Sequence, residues 1–125
     1  MANMMLPENS LEVIRGTSKT LELTVTDDAG KAVDLTGARI IFTVKQVITE
    51  SLPLIQKTSD TPTQAEITVP REGKARIYLQ PNDTQGLEAI EYVFDVWLIL
   101  TSGKRFAVVP SSIFTVKPGV TLIPL

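Results

Sequence analysis

Apolar and polar residues alternate with a period of two along most of this chain, which predicts strands rather than helices. In 19–26, Leu21, Leu23 and Val25 share one face while Thr20, Glu22, Thr24 and Thr26 share the other, the pattern of a half-buried strand. Residues 38–46 repeat it, with Ile40, Phe42 and Val44 inward against Arg39, Ile41, Thr43 and Lys45. Between these two runs, Asp27–Gly30 and Asp34–Gly37 supply short carboxylates that bond their own backbone and glycines that accept positive φ, so the chain turns twice. Residues 65–69, with Ile67 and Val69, and 74–80, with Ile77 and Leu79, flank Pro70–Gly73 as a hairpin with a turn of about four residues.

Further on, Pro81, the Asn82-Asp83 pair and Gly86 predict one short helical turn near 81–87. The longest strand, 91–101, places Tyr92, Phe94, Val96, Leu98 and Leu100 on one face and Val93, Asp95, Trp97 and Ile99 on the other. Residues 105–109 and 113–116, the latter carrying Phe114 and Val116, form the last strand, and Pro110 between them marks a bulge or a change of sheet. Leu52–Lys57 is read as a short edge strand because Pro53 cannot donate to a ladder.

Seven or eight short strands with almost no helical periodicity describe an all-β, two-sheet antiparallel sandwich. Its expected core is Leu21, Leu23, Val25, Ile40, Phe42, Val44, Ile77, Leu79, Tyr92, Phe94, Val96, Phe114 and Val116. Tyr92, at the head of its strand, suits a tyrosine corner whose hydroxyl meets upstream backbone. Composition agrees: Val, Ile and Thr make up 38 of 125 residues against 8 Ala, and branching at Cβ favours the pleated surface. The sandwich is expected over 15–117, with an N-terminal arm at 1–14 and a C-terminal arm at 118–125.

The chain has no Cys and no His, which removes thiolate and imidazole chemistry and most soft-metal sites. Ser111-Ser112 has no base beside it in sequence. The acids Asp27, Asp28, Asp60, Glu88 and Glu91 read as turn and loop residues without an aromatic platform, and Asp27, Asp28 and Asp34 do not match a calcium-loop spacing. No catalytic residue, cofactor, metal or small-molecule substrate is expected. A net charge of −2 argues against nucleic acid and anionic membranes, and the local cluster Arg71, Lys74 and Arg76 is interrupted by Glu72. The first ten residues lack the charged and apolar regions of a secretion signal, so the product is expected to stay in the cytoplasm where it is made.

One feature of the pattern is unusual. Val93, Trp97 and Ile99 lie on the strand face opposite the core, and a Trp-centred apolar patch is what partner surfaces use. Either this face is an interface, or the apolar segment 47–57 folds over it.

The run Arg15–Lys45 resembles the opening of the immunoglobulin-like domains of tailed-phage baseplate and tail proteins, the type named for the N-terminal domain of the upper baseplate protein. Gly73–Thr84 resembles that family's step from glycine through a strand to Pro, an acid and Thr, and Glu91–Val96 its following strand with a leading tyrosine. Phe114–Lys117 resembles the closing strand, so the likeness spans about 15–117, and 47–62 is longer and more apolar than the family pattern. The resemblance implies an immunoglobulin-like sandwich in a non-enzymatic virion protein, made in the host cytoplasm and docking to other phage structural proteins and to copies of itself. A tail or baseplate position is expected, with a capsid decoration protein or a carbohydrate-binding adhesion module as alternatives. The expected docking residues are Met4, Met5 and Leu6 in the first arm, Leu122, Ile123 and Leu125 in the second, and Val93, Trp97 and Ile99 on the sheet.

Overall fold

The computed structural model describes residues 10–121. Eight strands form two sheets: β1 (Ser10–Ile14), β8 (Arg105–Lys117), β7 (Glu91–Ile99), β3 (Arg39–Lys45) and β4 (Ile55–Thr58) in one, and β2 (Lys19–Thr24), β6 (Lys74–Leu79) and β5 (Ala65–Val69) in the other. A short helix α1 (Pro81–Gln85) links β6 to β7, as the sequence predicts. The alternating residues of both sheets meet between them, and all thirteen expected core side chains are buried.

Two corrections follow from the strand pairing. Ser10–Ile14, assigned above to an arm, is a strand whose Leu11 and Val13 join the core. It runs parallel to β8, from Ser10 opposite Ile113 to Ile14 opposite Lys117, so the larger sheet is mixed rather than wholly antiparallel. Of the two expectations for Pro110, a bulge or a change of sheet, the bulge holds, and β8 stays in its sheet through it. Phe94 pairs with Ser112 but Val96 with Val109, and Trp97 pairs with Ala107, so two successive one-residue shifts separate the two halves of β8. Each shift flips the side-chain phase and the second restores it. Val108 and Val109 are therefore both buried although adjacent, while Ser112, Phe114 and Val116 return to the inner face. Pro110 sits where the ladder has no use for its missing N–H.

Three aromatic rings from neighbouring strands brace the larger sheet. Phe42, Phe94 and Phe114 have centroids 5.6, 6.3 and 6.2 Å apart in tilted and edge-on geometry. Tilted and edge-on pairs each contribute about 0.5–1.5 kcal/mol beyond area burial. Just before β7, the Tyr92 hydroxyl donates to the Glu88 carbonyl at 2.8 Å, the expected corner. At the hairpin tip, Gly73 takes φ +68, and a Cβ there would collide with the Val25 carbonyl oxygen. Its own carbonyl accepts from the Val25 N–H at 2.8 Å, so the tip lies against the end of β2.

An ion pair ties the outermost strand to α1. Lys57 of β4 turns inward and its Nζ lies 2.8 Å from Asp83 Oδ2, with side chains only 9% and 19% exposed. The same carboxylate oxygen accepts the Gln80 N–H at 2.6 Å and closes the N-terminal cap of α1. Asp83→Ala strands the Lys57 ammonium inside and opens the cap, and should lower unfolding free energy by about 3 kcal/mol. Lys57→Met, which removes charge and keeps volume, should change it by less than about 1 kcal/mol. Urea midpoints at unchanged slope check both.

Burial first, and the negative Glu88 second, push the Tyr92 hydroxyl above its ordinary value. The folded state therefore holds this proton more tightly than the unfolded chain does. The stability it contributes is complete below the ordinary tyrosine value of about 10 and falls as pH rises beyond it toward the folded value. Tyr92→Phe should lose about 1 kcal/mol at neutral pH from the missing hydrogen bond. The alkaline decline should also be shallower in this variant than in the parent, as read by chemical denaturation across the alkaline range.

Candidate functional site

The outer faces of the two sheets differ in kind. On the three-stranded sheet the exposed positions are paired polar groups: Arg76 Nε donates to Glu22 at 2.9 Å and Tyr78 Oη to Glu66 at 3.1 Å. On the five-stranded sheet the centre is apolar. Trp97 lies between Ile41 of β3 and Ala107 of β8, and two same-face positions back along β7 the row Ser10, Ile113, Val93 and Lys45 crosses four strands. Trp97 is 40% exposed and Ile113 46%.

The segment between β3 and β4 decides the alternative left open by the sequence. It does not cover this face but stands along one side of it. Only Ile55 turns into the core, while Val47, Ile48, Leu52 and Leu54 remain exposed. Ile48 and Pro53 form one wall of an open groove of about 330 Å³ whose floor includes Ile41, Val93, Asp95 and Trp97. The indole is fixed in place, since Trp97 Nε1 donates to Asp95 Oδ2 at 3.0 Å. Opposite Asp95, Gln56 Nε2 donates to Thr43 Oγ1 at 3.2 Å, which occupies the polar groups on that side.

The three sheet residues expected at an interface are thus divided. Val93 and Trp97 line the groove, while Ile99 lies beyond it, between Arg39 and Arg105. Met4, Met5, Leu6, Leu122, Ile123 and Leu125 lie outside the described residues. Ile41, Ile48 and Ile113 belong to the same surface and were not among the expected docking residues. Ile41 was legible from its odd place in β3; Ile113 was obscured by the double shift in β8.

Nothing in this groove resembles a reacting centre. Turn acids outside the groove serve local structure: Asp27 Oδ1 accepts from the Ala29 and Lys31 N–H groups, and Asp34 from Thr36. Thr36's hydroxyl, then its N–H, holds the Asp34 carboxyl below its ordinary value. Asp60, isolated in sequence, takes a forked pair from Arg39 at 2.6–3.0 Å, which lowers its carboxyl and raises the guanidinium. Lys74 pairs with Glu72 and Arg76 with Glu22, so the hairpin cations face carboxylates. Among the described residues, no three Asp or Glu side chains converge as a metal site would need. A second hollow, beside β1, is bounded by Glu12, Lys19 and Lys117; the Glu12 carbonyl accepts from Lys19 at 3.1 Å and its carboxylate forms an ion pair with Lys117 at 3.9 Å.

No protein-family model and no curated protein sequence matches the chain. Solved structures do. CopC from Methylosinus trichosporium OB3b superposes with a TM-score of 0.53 at 14% identity, over 98% of this chain and 100% of that one. The GspB Siglec domain superposes with a TM-score of 0.52 at 17% identity, over 97% of this chain and 58% of that one. At such identities the likeness establishes the fold, an immunoglobulin-like β-sandwich.

The two faces of β7 should respond differently to substitution. Phe94→Ala empties the aromatic cluster and should cost about 3–5 kcal/mol, whereas Trp97→Glu places a charge on open surface and should cost less than about 1 kcal/mol. Equal losses in chemical denaturation would mean that Trp97 is structural and the groove is not a free surface.

Proposed function

We propose that this chain is a non-enzymatic structural protein of a phage or prophage particle, a tail or baseplate component that works by protein–protein docking. Its partners are other phage structural proteins and copies of itself, and its destination is the virion. The observation that carries docking is the uncovered Trp97 face. A fixed indole flanked by Val93, Ile41 and Ile48 is the kind of apolar centre, rimmed by polar residues, from which interfaces draw most of their energy. The phage assignment is supported by the resemblance of Arg15–Lys45, Gly73–Thr84, Glu91–Val96 and Phe114–Lys117 to the immunoglobulin-like domains of baseplate and tail proteins.

A carbohydrate-binding module is the second reading, favoured by one observation: Trp97 stands beside Asp95, an aromatic ring next to an acid. Protein docking accounts for more of the site, because Ile41, Ile48, Pro53 and Val93 surround the indole and one Asp95 oxygen is already held by it.

Gold-labelled antibody against the chain, applied to particles from an induced culture of the source strain, should mark the tail or its tip. Label on the head would replace this reading with capsid decoration, and unlabelled particles would remove the virion role. Capture on a glycan array that is lost in Trp97→Ala would transfer the groove to the carbohydrate reading.

A further inference from the structure

The groove around Trp97 holds one charge of each sign, and the chain neutralises neither of them. Asp95 and Lys45 both line it and both are half-buried. The Asp95 carboxylate accepts the Trp97 indole N–H, but among the described residues no Lys or Arg pairs with it, and Lys45 has no carboxylate partner. By contrast, Arg39, Lys57, Lys74, Arg76 and Lys117 each pair with an acid of the same chain. We propose that the Trp97 face binds the same face of a second copy about a two-fold axis along the seam between β3 and β7, with each Lys45 pairing the partner's Asp95. The inference rests on the reading of the groove as a docking surface and names the partner that occupies it.

Three observations lead there. The first is charge. A two-fold interface brings one surface against itself, so that surface must carry both members of every contact. Ile41 stands opposite Trp97 and Lys45 opposite Val93 across the seam. Exchanging β3 and β7 therefore lays each Trp97 on the partner's Ile41 and each Lys45 over the partner's Val93. Asp95 lies two residues further along that strand, about 7 Å away, within reach of a lysine stem. Covering the face then gives both half-buried charges a partner at the moment they lose water, around a centre of two indoles.

The second observation is shape. The same axis sets β8 of one copy against β4 and the loop wall of the other. There β8 exposes the small side chains of Ala107 and Ser111, which leave room for Ile48 and Pro53. The third is size. A nine-residue β7 extends about 30 Å, and five strands about 4.8 Å apart give a face of roughly 700 Å², close to the roughly 800 Å² that each partner contributes to a stable interface.

The test is a charge swap in the full chain, read by sedimentation equilibrium. The parent should approach twice the 13.7 kDa protomer mass as its concentration rises. Trp97 is the single tryptophan, so its emission should shift to the red as the dimer is diluted apart. Lys45→Asp and Asp95→Lys each set like charges face to face and should weaken association at least about tenfold, while the double variant should return to within about threefold of the parent. Trp97→Glu should be monomeric with the parent's circular dichroism. A parent that stays monomeric at roughly millimolar concentration overturns the self-docking inference and leaves the docking reading to the particle labelling above. A dimer that persists in Trp97→Glu and in both single swaps forms through another surface, which also overturns it. Single swaps that dissociate without recovery in the double variant overturn the Lys45–Asp95 pairing.

Discussion

The side-chain phase of β7 is the constraint on which the rest of this molecule depends. Phe94 packs between Phe42 and Phe114, and two residues earlier Tyr92 is anchored through its hydroxyl to the Glu88 carbonyl. A one-residue slip would drive Asp95 and Trp97 inward and expose the ring of Phe94. Burying a carboxylate without a compensating partner costs several kcal/mol, so no alternative register competes. With the inner face pinned, Val93, Asp95 and Trp97 have no freedom to face anywhere but outward. The surface feature is a consequence of the core.

The double shift in β8 shapes what surrounds Trp97. Because the two shifts cancel in phase, Phe114 and Val116 can fill the core at one end of the strand while Phe106 packs against it at the other. Between them the strand changes register by two residues against β7, which brings the small side chain of Ala107 beside the indole and Ile113 beside Val93. A regular strand in the register of the lower half would have put Val109 opposite Trp97. Among the described residues β1 pairs with Ile113–Lys117 of β8.

Much of this was legible in the sequence, for physical reasons that differ by element. The strands β2, β3 and β7 each have one buried and one exposed face, so their alternation is unambiguous, and the short α1 announces itself through Pro81 and its Asp83 cap. Ser10–Ile14 alternates too, but five residues beside a proline-containing stretch carry too little pattern to separate a strand from an arm. Its parallel pairing depends on a partner a hundred residues away, which no local signal encodes. The inward turn of Lys57 contradicts the usual solvation of lysine and is explained only by Asp83, which tertiary structure brings to it. Leu35, fully buried, was hidden in a turn because its neighbours Asp34, Thr36 and Gly37 dominate the reading there. At the candidate site, Trp97 and Val93 were visible from phase alone, while the wall of Ile48 and Pro53 was not, since an irregular loop has no period from which its direction could be read.

The groove also differs mechanically from a loop-built site. Its floor is carried on β3 and β7, central strands with hydrogen-bonded neighbours on both sides, and its indole is already held by Asp95. On the docking reading, a partner would meet side chains whose conformational entropy is largely spent before contact, which lowers the ordering cost of association. The wall is the opposite case: Ile48 and Pro53 belong to no strand, and Ile48 is exposed. Division of labour follows from that contrast. On the docking reading, the floor would offer the fixed indole as its contact and the loop wall would set the shape of the groove. Sequence change in 46–54 would then reshape the wall with little effect on the fold, because none of those residues belongs to the buried core.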